Sequence, residues 1–102
     1  MVEPEEEILA EIKSYIDKNS GTYNYTNWYV GISKNPVDRL FNGHGVKEKD
    51  DLWIWRQASS PDAARKIESY FMNILKTDGG TSGEEEEADW VYAYSKNSYT
   101  KP

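Results

Sequence analysis

Cysteine is missing from this chain altogether. Its absence excludes disulfides, thiolate chemistry and Cys-ligated zinc, and it fits a reducing compartment. Long apolar runs are missing too: nothing approaches the roughly 20 residues of a membrane span, so no membrane partner is expected. The opening MVEPEEE is the opposite of a basic, apolar leader, and a cytoplasmic location is the expectation. Positive charge is scarce. Twelve Lys and Arg face eighteen Asp and Glu, a net charge of −6, which argues against a non-specific binder of phosphate backbones. The deficit is uneven, because acids cluster at Glu3, at Glu5 to Glu7 and at Glu84 to Glu87, leaving the middle of the chain closer to neutral.

Aromatic residues, by contrast, are plentiful: four Trp, eight Tyr and two Phe in 102 residues. Each buries about 150–250 Å², so a few supply most of a small core. The length predicts a single domain over 1–102.

Residues 4 to 18 read as an amphipathic helix with Ile8, Leu9, Ile12, Tyr15 and Ile16 in one stripe. Asn19-Ser20-Gly21 is its stop signal. Residues 27 to 33 predict a strand with Trp28, Val30 and Ile32 on one face and Tyr29, Gly31 and Ser33 on the other. Asn35 then caps a short helix with Pro36 at its first position, ending before Gly43. Residues 51 to 58 predict a second strand, and Ser60-Pro61-Asp62 opens a third helix running to about Lys76. The apolar face of that helix is Ala64, Ile67, Phe71, Ile74 and Leu75, and Asp78-Gly79-Gly80 ends it. Residues 79–89 predict a flexible acidic loop, residues 90 to 95 a last strand, and 96–102 a frayed tail. The order α-β-α-β-α-β fits an α+β fold with a small three-stranded, mainly antiparallel sheet flanked by helices; a simple parallel βαβ sheet is the other arrangement it allows.

Four side chains are candidates for chemistry. Tyr29 lies on the strand face opposite the apolar one. Arg39 offers a planar fork suited to phosphate. His44, the only histidine, titrates near neutral pH. Glu68 falls at the border of the third helix's apolar stripe, where a carboxylate is able to hold a hard cation. Each has a plainer reading: a strand aromatic, an ion-pair partner, a turn residue and a solvated helix edge.

Their order and spacing supply a further signal. The stretch "WYVGISKNPVDRLFNGH" resembles the core motif of the GIY-YIG nuclease superfamily through Tyr29-Val30-Gly31, Ser33, Asn35-Pro36, Arg39-Leu40 and His44. "AARKIE" is similar to the family's metal-binding helix and sets its Glu at Glu68, so the resemblance covers roughly residues 27 to 76. It implies a divalent metal, Mg or Mn, held by Glu68, with Tyr29 assisting the nucleophile, Arg39 holding phosphate and His44 shuttling protons or orienting water. It implies nucleic acid as partner, DNA ahead of RNA. The family's opening GIY strand has two candidates: Gly21-Thr22-Tyr23, which lies closer than the family's spacing, or "WVYAYS" in a permuted arrangement. In the second case Tyr92 or Tyr94 stands for the first catalytic tyrosine. The family's late Asn has no counterpart in "TDGGTSGEEEE".

Three functions from different classes therefore compete: a metal-dependent endonuclease, a non-catalytic nucleic-acid-binding module stacking bases on Trp53, Trp55, Tyr92 and Tyr94, and a protein-binding module whose Glu84 to Glu87 run meets a basic partner.

Overall fold

The computed structural model describes residues 4–20, 25–79 and 87–101. Helix α1 (Glu5–Ser20) starts where predicted. The Pro4 carbonyl accepts from the amides of Glu7 and Ile8, both at 3.1 Å. Glu5, Glu6 and Glu7 occupy its first turn and Lys18 its last, each favoured by the helix dipole. Its stripe is buried as the spacing requires, with Ile8, Ile12 and Ile16 fully enclosed. A single 3-10 turn, Tyr25–Asn27, leads into strand β1 (Trp28–Ser33).

After β1 the chain departs from the expected regular helix. Asn35 caps α2 (Pro36–Asp38), its side-chain oxygen accepting from the Asp38 amide at 3.2 Å. The next residues, Arg39–Gly43, form a π-helical turn. The His44 amide reaches back five residues to the Arg39 carbonyl at 2.7 Å. Such a turn carries one residue more than an α-helical one and redirects the chain beyond it. Gly45, at φ +76°, completes the reversal in a backbone region that side chains rarely adopt.

Strand β2 (Trp53–Gln57) precedes α3 (Pro61–Asn73), which Ser60 caps by accepting from the Ala63 amide at 3.1 Å. This helix ends earlier than its apolar spacing predicts, and Ile74 lies beyond it, exposed. Lys76, at φ 66°, makes the reversal, and the Thr77 amide returns to the Phe71 carbonyl at 3.0 Å. That closes the C-terminus with a wide turn whose left-handed position is a residue other than glycine. The reversal frees Asp78–Gly79 to form β3 instead of serving as the helix stop. Strand β4 (Trp90–Ser95) has the boundaries read from the sequence.

The architecture is α+β. The sheet, however, has four strands and is mixed, in the order β2-β4-β1-β3. The antiparallel trio expected from the sequence is β2-β4-β1, and the addition is the two-residue β3, parallel to β1. A strand that short has no alternation to read, which is why the sequence conceals it.

Alternation divides the sheet into two faces. Trp28, Val30 and Ile32 of β1, Ile54 of β2, and Val91 and Ala93 of β4 pack against α1 and against Ala63, Ala64, Ile67 and Phe71 of α3. The opposite face carries Tyr29, Tyr92 and Tyr94, with Trp53 and Trp55 beside them, under Leu40, Phe41 and Val46. The C-terminal residues differ from the expected frayed tail: Lys101 hydrogen-bonds back to His44. The end of the acidic loop is also packed, with Ala88 fully buried and the Asp89 carbonyl accepting from Ala58 at 2.8 Å. The candidate strand Gly21-Thr22-Tyr23, and Glu84 to Glu86 of the acidic run, lie outside the described residues.

Candidate functional site: a tyrosine–histidine cluster

The site is built on the pairing of β1 with β4. In their antiparallel register Tyr29 lies opposite Tyr94 and Gly31 opposite Tyr92. The last strand thus lies beside "WYVGIS". The three tyrosine rings stack, Tyr29 against Tyr94 at 5.2 Å and against Tyr92 at 6.2 Å. Gly31 makes room for them. A β-carbon there would stand 2.6 Å from the Tyr92 hydroxyl oxygen and 3.0 Å from Tyr29 Cε1.

The π turn delivers His44 into this cluster, with its ring 4.6 Å from that of Tyr29. His44 is 6% exposed, and both ring nitrogens are engaged. Nε2 lies 2.7 Å from the Tyr92 hydroxyl. Nδ1 lies 2.7 Å from the Lys101 carbonyl oxygen and 3.2 Å from the Tyr94 hydroxyl. Burial, with the Arg39 charge adding to it, holds the imidazole pKa below its ordinary value against the opposing pull of the Lys101 carbonyl, so the ring is neutral at neutral pH. Its ring nitrogens face Tyr92, Tyr94 and the Lys101 main chain.

Arg39 and Glu68 both act electrostatically on the cluster. Burial raises the Tyr29 phenol; the Glu68 and Asp78 charges add to the rise, while Arg39 and a hydrogen bond with Tyr92 oppose it. The Tyr92 phenol is also pushed up by burial, and feels both Arg39 and Glu68. Tyr94 is raised by burial as well. The phenols are therefore neutral, able to donate and to accept, and the cation and the carboxylate act on the same two rings, Tyr29 and Tyr92. Glu68, from the border of the α3 stripe, is half-buried, and burial pushes its pKa up to about 7. Its Oε2 is buried without a hydrogen-bond partner, a condition shared among the described residues only with Thr77 Oγ1. An unpartnered buried carboxylate oxygen is costly unless something else satisfies it.

The structure thus brings Tyr29, Arg39, His44, Glu68 and Tyr92 into one electrostatic neighbourhood. Sequence reasoning left Tyr92 and Tyr94 as alternatives, and both contact His44. It missed Lys101, whose main chain rather than side chain makes the contact. No group of three or more His, Asp or Glu side chains placed to hold a metal occurs among the described residues. A shallow groove of about 380 Å³ lies elsewhere, on the α1 side of the sheet, lined by Glu11, Tyr15, Ile54 and Arg56 among others. No helix among the described residues is long and apolar enough to cross a membrane.

No protein-family model, no curated protein and no solved structure matches the chain.

Proposed function

We propose that this chain is a metal-dependent phosphodiesterase of GIY-YIG type that hydrolyses a nucleic-acid backbone, DNA ahead of RNA. The observation that carries the reading is the unpartnered Oε2 of Glu68 beside a cluster that also feels Arg39. Magnesium and manganese favour oxygen ligands, and magnesium keeps several waters, so one carboxylate together with a substrate phosphate suffices. Glu68 has the right donor, and its raised pKa marks an environment that favours a compensating cation. When bound, the ion polarises the scissile phosphate and acidifies a neighbouring water.

The chain's own residues supply the rest. Arg39 holds the phosphate and offsets the charge that grows on it. Tyr29 orients the attacking water. As the water oxygen bonds to phosphorus, its proton passes to the Tyr92 oxygen while the Tyr92 proton moves to His44 Nε2. The P–O bond to the leaving alcohol breaks, and the alcohol takes its proton from solvent. His44 Nε2 then returns that proton to the Tyr92 oxygen as Tyr92 releases the proton it took from the water to solvent.

Incubating the protein with supercoiled and branched DNA plus Mg²⁺ or Mn²⁺ tests this. Nicking should fall by about 10²–10³ in Arg39→Ala and vanish in Glu68→Gln. Nicking that survives both substitutions contradicts the reading.

A second reading has an observation of its own. Trp53 and Trp55 stack 4.7 Å apart at 29°, and in the β2–β4 register they stand beside Tyr94 and Tyr92. Partly exposed indoles of this kind stack unpaired bases at about 1–3 kcal/mol each. A non-catalytic binding module would quench tryptophan fluorescence with single-stranded oligonucleotides and nick nothing.

A further inference from the structure

The chain beyond β4 is tied down. The Lys96 amide donates to the Asn27 carbonyl at 2.7 Å. Asn97 and Thr100 close a turn on one another: the Asn97 amide donates to Thr100 Oγ1 at 3.0 Å, and that hydroxyl donates to the Asn97 carbonyl at 3.0 Å. Asp51 Oδ1 accepts from Asn97 Nδ2 at 3.1 Å and from the Tyr99 hydroxyl. Lys47 Nζ lies 4.3 Å above the Tyr99 ring. This turn brings the main chain of Lys101 against His44 at two points. The Lys101 amide donates to the His44 carbonyl at 2.8 Å, and the Lys101 carbonyl oxygen meets His44 Nδ1 at 2.7 Å.

A carbonyl oxygen accepts and never donates, so Nδ1 must carry the proton. A neutral imidazole has only one N–H, which leaves Nε2 with its lone pair, and the Tyr92 hydroxyl at 2.7 Å then donates to it. The other polar groups around the ring do not impose this choice. The Tyr94 hydroxyl is able to donate or accept, and Tyr29 meets the ring through a tilted ring-to-ring contact. The Lys101 carbonyl is the contact that decides the tautomer.

We propose that residues 97–101 are a positioning strap: the Lys101 carbonyl selects the Nδ1–H tautomer of His44 and so keeps Nε2 as the proton acceptor for Tyr92. The tautomer stands independently of the phosphodiesterase reading; only its catalytic consequence rests on that reading. The strap regulates by position, because any event that lifts the 97–101 turn frees the imidazole to hold its proton on Nε2 and closes the proton path from Tyr92. Its action is main-chain in character, and the Lys101 side chain takes no part in it.

With a single histidine in the chain, nitrogen-15 NMR of the imidazole reads this directly. In the full chain Nδ1 should resonate as a protonated nitrogen and Nε2 as an unprotonated one. Asn97→Ala, which removes the side chain that ties the turn to Asp51, and a chain ending at Lys96 should both lose that pattern. Lys101→Ala should keep it. Under the phosphodiesterase reading, kcat for nicking falls about 10- to 100-fold in the first two variants, with little change in KM, and is unchanged in the third. A full chain protonated on Nε2, or a pattern unmoved in folded Asn97→Ala, overturns the strap. The expected NMR pattern without nicking by any variant overturns the phosphodiesterase reading and leaves the strap standing.

Discussion

Glu68 concentrates the cost of this site in one residue. Its pKa is about 7 in the folded chain against an ordinary value of 4.5, because burial disfavours the charged form. Between those two values the folded state holds more protons than the unfolded state, so stability falls as pH rises through the window and levels off above it. The full penalty is on the order of 3 kcal/mol. His44 acts in the opposite sense: its lowered pKa makes stability rise with pH around its own titration. Comparison with Glu68→Gln cancels the His44 contribution. Urea denaturation at pH 5 and pH 8 should show Glu68→Gln gaining on the parent chain by about 2–3 kcal/mol at the higher pH; equal pH dependence in the two proteins would refute the assignment. Gly31 concentrates a different constraint. Alanine there places its methyl carbon 2.6 Å from the Tyr92 oxygen, and Tyr92 is enclosed by its neighbours. Gly31→Ala should cost about 1–3 kcal/mol by overpacking and displace the Tyr92 hydroxyl from His44. Denaturation together with the His44 ring signals reads both effects, and a variant with parent stability and unshifted ring signals contradicts the tight fit.

At the scale of elements, the regular pieces follow from local chemistry. The α1 stripe, the Ser60 cap and the alternation of β1 and β4 are each written in the nearest neighbours, and their burial follows. Ser60→Ala should therefore destabilise the protein by about 1 kcal/mol, read as a lower denaturant midpoint at unchanged slope; an unchanged midpoint would show that the cap contributes nothing. What the sequence conceals depends on distant partners. The π turn at Arg39–Gly43 is selected by seating His44 between β4 and the C-terminal strap, and its residues carry an ordinary helical pattern. Strand β3 is two residues long and exists because Lys76 reverses the chain beside β1. The docking of the tail depends on Asp51, far away in sequence. The candidate site was legible as residue types at suggestive spacing. The contact of Lys101 with His44 was not, since it is made by the main chain and no side-chain pattern announces it.

For the whole molecule, the sheet separates two kinds of interior. One face is an aliphatic core under α1 and α3, and the other is an aromatic layer whose hydroxyls hydrogen-bond the buried His44 imidazole. Strands β1 and β4, enclosed on both edges by neighbours, should give the slowest amide exchange, and β2 and β3 at the edges should exchange sooner. Exchange by mass spectrometry checks this, and faster exchange in β1 than in β2 would contradict the topology. Under the proposed phosphodiesterase function, the Glu68 carboxylate holds a divalent ion against the tyrosine–histidine cluster. A Mn²⁺ titration followed by NMR tests it most directly, because the bound paramagnetic ion broadens nearby ring signals. The account predicts saturable broadening of the His44 and Tyr29 rings at one ion per chain, lost in Glu68→Gln. Rings that stay sharp, or broadening that persists without the carboxylate, would contradict it.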